Sequence, residues 1–287
     1  MTQFHRVMGG RPRNHILPRL PILARFSCRK DGKPQFSTAN SANTANHANS
    51  AILRPAVPSA RHTPAQRLRR MYDDLAAAYG PQHWWPAKTP FEVILGAYLT
   101  QNTVWKAVEL SLDNLRAAGA LTPDGLRALA LEDLARLIQP TGFHTRKAPA
   151  LKAFLAMLDE EFSGSLDHLA ASPTAALRLR LLALPGVGPE TADAILLYAL
   201  GHSVPVADEY MRRISTRHRL LAPPPGHNRK GYESMTALIR QAFASDAPQD
   251  QARLFNEFHA LTVAVGKAHC GKTAHCEGCP LAAYPKL

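Results

Sequence analysis

The sequence predicts an all-α protein. Apolar residues recur at helical spacing almost everywhere from Thr63 onward, start signals recur, and no alternating strand pattern interrupts them. Thr63-Pro64, Thr89-Pro90, Thr122-Pro123 and Ser172-Pro173 each place a hydroxyl cap before a proline in the first helical position. There the ring's fixed φ suits the helix, and the missing N–H would have had no partner. The spacing predicts helices over 64–79, 90–99, 103–118, 123–130, 132–139, 145–161, 174–183, 189–200, 209–220, 229–243 and 249–267. No fixed-period repeat appears, which argues against a solenoid.

Residues 1–62 stand apart as a basic, low-complexity arm. They hold scattered prolines, the run Ser37-Thr38-Ala39-Asn40-Ser41-Ala42-Asn43-Thr44-Ala45-Asn46, and nothing able to bury a face. Residues 1–70 carry thirteen Lys or Arg against Asp31 alone, so the net charge of +12 belongs to this N-terminal stretch, and twenty-one residues of each sign remain beyond Arg70. Any nucleic-acid affinity of the rest must then come from local placement, with Arg212, Arg213, Arg217 and Arg219 the obvious cluster, unless that cluster is only a solvated helix face. An Arg-rich, acid-poor start fits an organellar transit peptide, yet Pro12, Pro18 and Pro21 interrupt an amphipathic helix; a start codon placed upstream of the true one, nearer Met71, explains the arm equally well. No run of about eighteen apolar residues suggests a membrane span. The expectation is a monomer, in the cytoplasm or nucleoid of a bacterium if it is not targeted to an organelle.

The stretch Leu184-Pro185-Gly186-Val187-Gly188-Pro189-Glu190-Thr191-Ala192-Asp193, followed after one apolar helix by Val204-Pro205-Val206-Ala207-Asp208, carries the most information. Gly186 and Gly188 can both adopt φ > 0, so a tight turn can present backbone N–H groups at the start of the next helix, where a phosphate binds. An ordinary turn is the plainer alternative. The stretch resembles the helix-hairpin-helix signature of the endonuclease III superfamily of DNA base-excision glycosylases. That resemblance implies DNA contacts through Gly186, Val187, Gly188 and Thr191, and a catalytic role for Asp208.

Asp208 precedes an apparent helix start, so it also reads as an N-cap, and the two roles are compatible. A carboxylate held there can face the sugar, stabilise an oxocarbenium-like transition state and assist water at C1′. Glu190 departs from the family. The bifunctional branch has a lysine there that forms a Schiff base and cleaves the strand. A carboxylate cannot form an imine, which points to a monofunctional enzyme; otherwise Glu190 is simply an acid favoured by a helix N-terminus.

Tyr79-Gly80-Pro81-Gln82-His83-Trp84-Trp85-Pro86, the stretch from Phe91 to Trp105, and Pro140-Thr141-Gly142-Phe143-His144 resemble the branch related to 3-methyladenine glycosylases. The resemblance spans about residues 70–280 and implies that Gln101 fills the space left by a flipped nucleotide. Trp84, Trp85 and Trp105 are candidate walls of a pocket for flat cationic alkylated purines, or else aromatic core filling. Lys267 matches a lysine near that pocket, or is a surface lysine.

Cys270, Cys276 and Cys279 crowd the C-terminus, which suits metal ligation better than a disulfide framework, and Cys28 lies alone in the arm. The tail resembles the superfamily's four-cysteine iron-sulfur loop, but the place of the fourth cysteine is Pro285. The expectation is a [4Fe-4S] cluster with His259, His269 or His275 completing the set; a three-cysteine-plus-histidine zinc site, or no metal, is the alternative.

These readings combine into a two-lobed, all-α helix-hairpin-helix DNA glycosylase fold with a C-terminal cysteine-rich loop. A helical barrel would span 89–201, and a second lobe would combine 63–88 with 202–287. The function expected is monofunctional excision of alkylated purines such as 3-methyladenine from double-stranded DNA. The alternatives are a non-catalytic DNA-binding or damage-sensing protein, and a bifunctional glycosylase and lyase using another amine such as Lys267.

Overall fold

Three of the four cap signals fold as helix starts through their own side chains. The computed structural model describes residues 62–82, 84 and 87–285, all within the compact unit Pro55–Leu287. Its helices are α1 (Pro64–Tyr79), α2 (Pro90–Leu99), α3 (Trp105–Ala117), α4 (Pro123–Ala128), α5 (Leu131–Leu137), α6 (His144–Phe162), α7 (Leu166–Ala170), α8 (Thr174–Leu182), α9 (Pro189–Ala194), α10 (Glu209–Arg217), α11 (Arg229–Ala242) and α12 (Pro248–Ala268). A 3₁₀ turn (Gln139–Thr141) precedes α6, and a π-helical turn (Ile195–Ala199) continues α9. Among the described residues there is no strand, only an isolated bridge between Cys270 and Ala274. Apart from His62, the basic arm with Cys28 lies outside the described residues, and so does Trp85.

Thr63 caps α1 and forms a reciprocal capping box with Gln66. Thr89 and Thr122 accept from the backbone N–H of Glu92 and Gly125. Ser172 does not cap: its hydroxyl turns back to His168 O, and α8 starts after Pro173 without a side-chain cap. The helix expected over 209–220 is shorter for a backbone reason, since Arg219 adopts a positive φ of 49° and an α-helix cannot run through it, while Asn102 at φ 53° separates α2 from α3. The five-residue α7 lay below what periodicity can detect.

Every residue of α2 from Phe91 to Leu99 is buried, and its one charged side chain, Glu92, accepts from Lys88 N and pairs with Arg116. It packs on α3, α6 and the π-turn, while α1 packs on α11 and α12, and α10 packs on α12. Gly266 makes the last pairing close, because a Cβ there would stand 2.2 Å from Tyr210 Cδ1. The hairpin is anchored from beneath by the buried Asp193. Its carboxylate accepts from Arg178 Nε at 2.6 Å, Arg178 Nη2 at 3.0 Å and Tyr232 OH at 2.9 Å, joining α8, α9 and α11.

Candidate active site and cysteine cavity

The hairpin turn lies between α8 and α9. Gly186 has φ +76°, the left-handed conformation expected of it. Gly188 does not share it: at φ −93° and ψ 177° it is the extended N-cap of α9, and a Cβ there would meet nothing within 4 Å. Its use is therefore open space beside the helix N-terminus rather than backbone freedom. Val187 packs its side chain into the core, and its N–H donates to Leu184 O. Any contribution it makes at the surface is thus a backbone one.

Gln101 meets this turn directly. Its Nε2 donates to Gly186 O and to Thr191 Oγ1, both at 3.0 Å. The next turn joins the same group through Lys147, whose buried ammonium donates to Leu99 O at 2.8 Å and Thr141 O at 3.0 Å. Burial lowers the Lys147 pKa, but both carbonyls hold the amine as a structural tie. Beyond Thr141 stands Phe143, in left-handed conformation at φ 49° and 55% exposed. A left-handed backbone is uncommon for a bulky side chain. The sequence reading used Phe143 only as part of a motif, because exposure is not written in a sequence.

Asp208 does cap α10: its Oδ1 accepts from Met211 N at 2.9 Å. It also lines a cleft of about 330 Å³ with Glu190, Glu209, Arg212, His227 and Tyr232. Crowding by protein, then the nearby Asp208 charge, push the Glu190 carboxyl up to about 7, although the side chain still meets solvent in the cleft. His259 stands behind Asp208, with Nε2 3.7 Å from Oδ2 and Nδ1 2.5 Å from Tyr198 OH.

The arginines expected to form a phosphate patch are largely committed. Arg212 and Arg213 pair with Glu209, Arg217 donates to Gly271 O and Lys272 O, and the backbone of Arg219 receives Arg67. Of the aromatic candidates, Trp84 is brought to Lys267, whose Nζ lies 5.7 Å from the indole centroid. Trp105 is on α3, its indole N–H donating to Glu109 on the same helix at 2.9 Å.

Cys270, Cys276 and Cys279 line one cavity of about 250 Å³, together with His218, His269 and His275. His259 does not: it is engaged with Tyr198 and Asp208, so it is no candidate ligand there. His218 takes its place. It is buried at the end of α10, and its Nδ1 bonds the carbonyl of Pro285, the residue standing where the pattern's fourth cysteine would be. Its distance of more than fifty positions from the cysteines hid it from any spacing rule. Among the described residues no group of three or more His, Cys, Asp or Glu is placed to hold a metal ion, and no helix is long and apolar enough to cross a membrane.

Residues 95–237 match the model of the HhH-GPD superfamily of base excision DNA repair proteins. A Methanocaldococcus jannaschii protein provisionally named a DNA repair glycosylase is 36% identical over 218 residues, which cover 75% of this chain and 94% of its own. The Helicobacter pylori 3-methyladenine DNA glycosylase solved with 1,N6-ethenoadenine aligns with a TM-score of 0.59 at 26% identity, over 72% of this chain and 98% of that one. An endonuclease III solved in a non-covalent complex with DNA shares the fold, with a TM-score of 0.61 at 22% identity, over 77% of this chain and 94% of that one. The chain belongs to the HhH-GPD superfamily of base excision DNA repair proteins, the DNA glycosylase family of its relatives.

Proposed function

We propose that this protein is a monofunctional DNA N-glycosylase that releases a damaged base, of the alkylated purine class, flipped out of double-stranded DNA. The observation that carries this reading is the shared cleft of Asp208 and Glu190: at the hairpin position where a lyase needs an amine, the chain places a second carboxylate.

The Gly186 turn and the N-terminus of α9 would receive a backbone phosphate. Gln101 and Phe143, on two turns tied together by Lys147, would enter the duplex where the nucleotide leaves it. Asp208 would stabilise the positive charge developing on the sugar as the bond from C1′ to the base nitrogen breaks, the base taking the electron pair. Water would then add to C1′ and pass a proton to Glu190, whose pKa of about 7 suits proton transfer at neutral pH. A flat base stacking on Trp84 would share that indole with Lys267 or displace it.

Cys270, Cys276 and Cys279 would hold the iron-sulfur cluster, with His218, His269 or His275 at the fourth position. Three thiols around a cavity of about 250 Å³ suit a multi-atom group. When bound, the cluster would fasten the loop that Arg217 already grips.

The test is base release from duplex DNA carrying methylated purines, comparing wild type with Asp208→Asn, with strand cleavage followed before and after alkali. Release by wild type alone, leaving alkali-labile sites, is the expected result. A covalent adduct trapped by borohydride overturns the monofunctional reading. Equal DNA binding by both proteins without release of any base makes this a binding module.

A further inference from the structure

His259 lies midway along α12 and is buried, and none of the steps above uses it. Its ring is held from two sides. Nδ1 is 2.5 Å from Tyr198 OH on the π-turn, and Nε2 points to Asp208 Oδ2 at 3.7 Å, with no hydrogen-bond partner of its own among the described residues. A buried imidazole nitrogen is rarely left unsatisfied without a reason. The two oxygens of Asp208 are also distinguished, because Oδ1 is occupied by Met211 N and Oδ2 is the one turned to His259.

We propose that His259 is a positioning residue for Asp208. With Tyr198 O–H donating to Nδ1, the ring's proton sits on Nε2 and faces Oδ2. The carboxylate is then clamped between a backbone N–H and an imidazole N–H, which fixes its plane and supplies a partner to the oxygen not used in capping. The separation of 3.7 Å exceeds a hydrogen bond. A short movement of the side chain closes it, as is common for catalytic contacts when DNA binds. The π-turn has a role in this arrangement, since Tyr198 lies on it.

This inference rests on the reading of Asp208 as the catalytic carboxylate. The experiment measures single-turnover base release on the full chain, over a panel of duplexes that each carry one damaged or mismatched base, together with the dissociation constant for the same DNA. The proteins are wild type, Asp208→Asn, His259→Phe and His259→Gln. His259→Phe is expected to lower the rate constant by about a hundredfold, the cost of a small misplacement of a reacting group, with DNA affinity unchanged. His259→Gln, which returns an N–H donor to the ring's far edge, should recover part of that loss.

An inactive Asp208→Asn beside a His259→Phe at the wild-type rate overturns this proposal alone. So does a loss of rate matched by an equal loss of DNA binding, or a glutamine variant no better than phenylalanine, because both describe a merely structural residue. An Asp208→Asn variant as active as wild type, or a wild type that releases nothing, removes the reading of Asp208 and this proposal with it.

Discussion

The carboxamide of Gln101 is hydrogen-bonded to the hydroxyl of Thr191, ninety residues away, at 3.0 Å. The turn after α2 is thereby tied to the first turn of α9, and the two parts of the proposed DNA-binding surface are set against each other. Thr191→Val keeps the shape and removes the acceptor, so it should cost about 1 kcal/mol of folding stability and weaken binding to an abasic duplex severalfold. Thermal unfolding and a fluorescence titration measure the two effects. Unchanged DNA affinity would mean that Gln101 acts independently of the hairpin.

Asp193 is fully buried beneath the hairpin, with Arg178 and Tyr232 both pointing at it. Asp193→Ala leaves the Arg178 charge without its partner. Because Arg178 is partly exposed, water recovers some of the loss, and a cost of about 3 kcal/mol is expected. Urea denaturation should show a lower midpoint with the same slope.

Glu190 predicts a pH dependence of fixed sign. Its carboxyl is raised from the ordinary 4.5 to about 7, first by the protein packed around the cleft and then by Asp208. Between those values the unfolded chain has released the proton and the folded chain retains it, so this group's contribution to stability is full below about 4.5 and is lost as pH rises to about 7. Glu190→Gln should unfold at a temperature that changes less with pH over that window. Its base-release rate should lose the rise through neutrality that a proton acceptor near 7 gives the wild type.

Wild-type protein purified without oxygen should be coloured by thiolate-to-iron absorption and should contain iron and sulfide. Cys276→Ser should lose most of both. A colourless wild type carrying stoichiometric zinc would replace the cluster with the zinc alternative.

Much of the fold could be read from the chain because its determinants are neighbours in sequence. A threonine before a proline, an apolar face recurring every three or four residues, and the glycine at Gly186 act within a turn or two, and these are where sequence and structure agree. The disagreements arise where a local rule had two outcomes. Gly188 was free to take positive φ but serves as an extended cap. Ser172 could cap forward but bonds back to His168. Of the arginines after Asp208, Arg212 and Arg213 pair with Glu209 and Arg217 donates to the cysteine loop.

By itself the sequence determined a helical protein, the hairpin, the capping aspartate, the cysteine-rich tail and the missing lysine. Only the tertiary structure decided which groups share a space. It brought Glu190 into the cleft of Asp208, moved His259 from the cysteines to that carboxylate, put His218 on the wall of the cysteine cavity, and set Lys267 over Trp84. Capping and turn formation depend on a few adjacent dihedral angles, whereas burial, like-charge proximity and the partner of an imidazole depend on helices that meet only after the chain has packed.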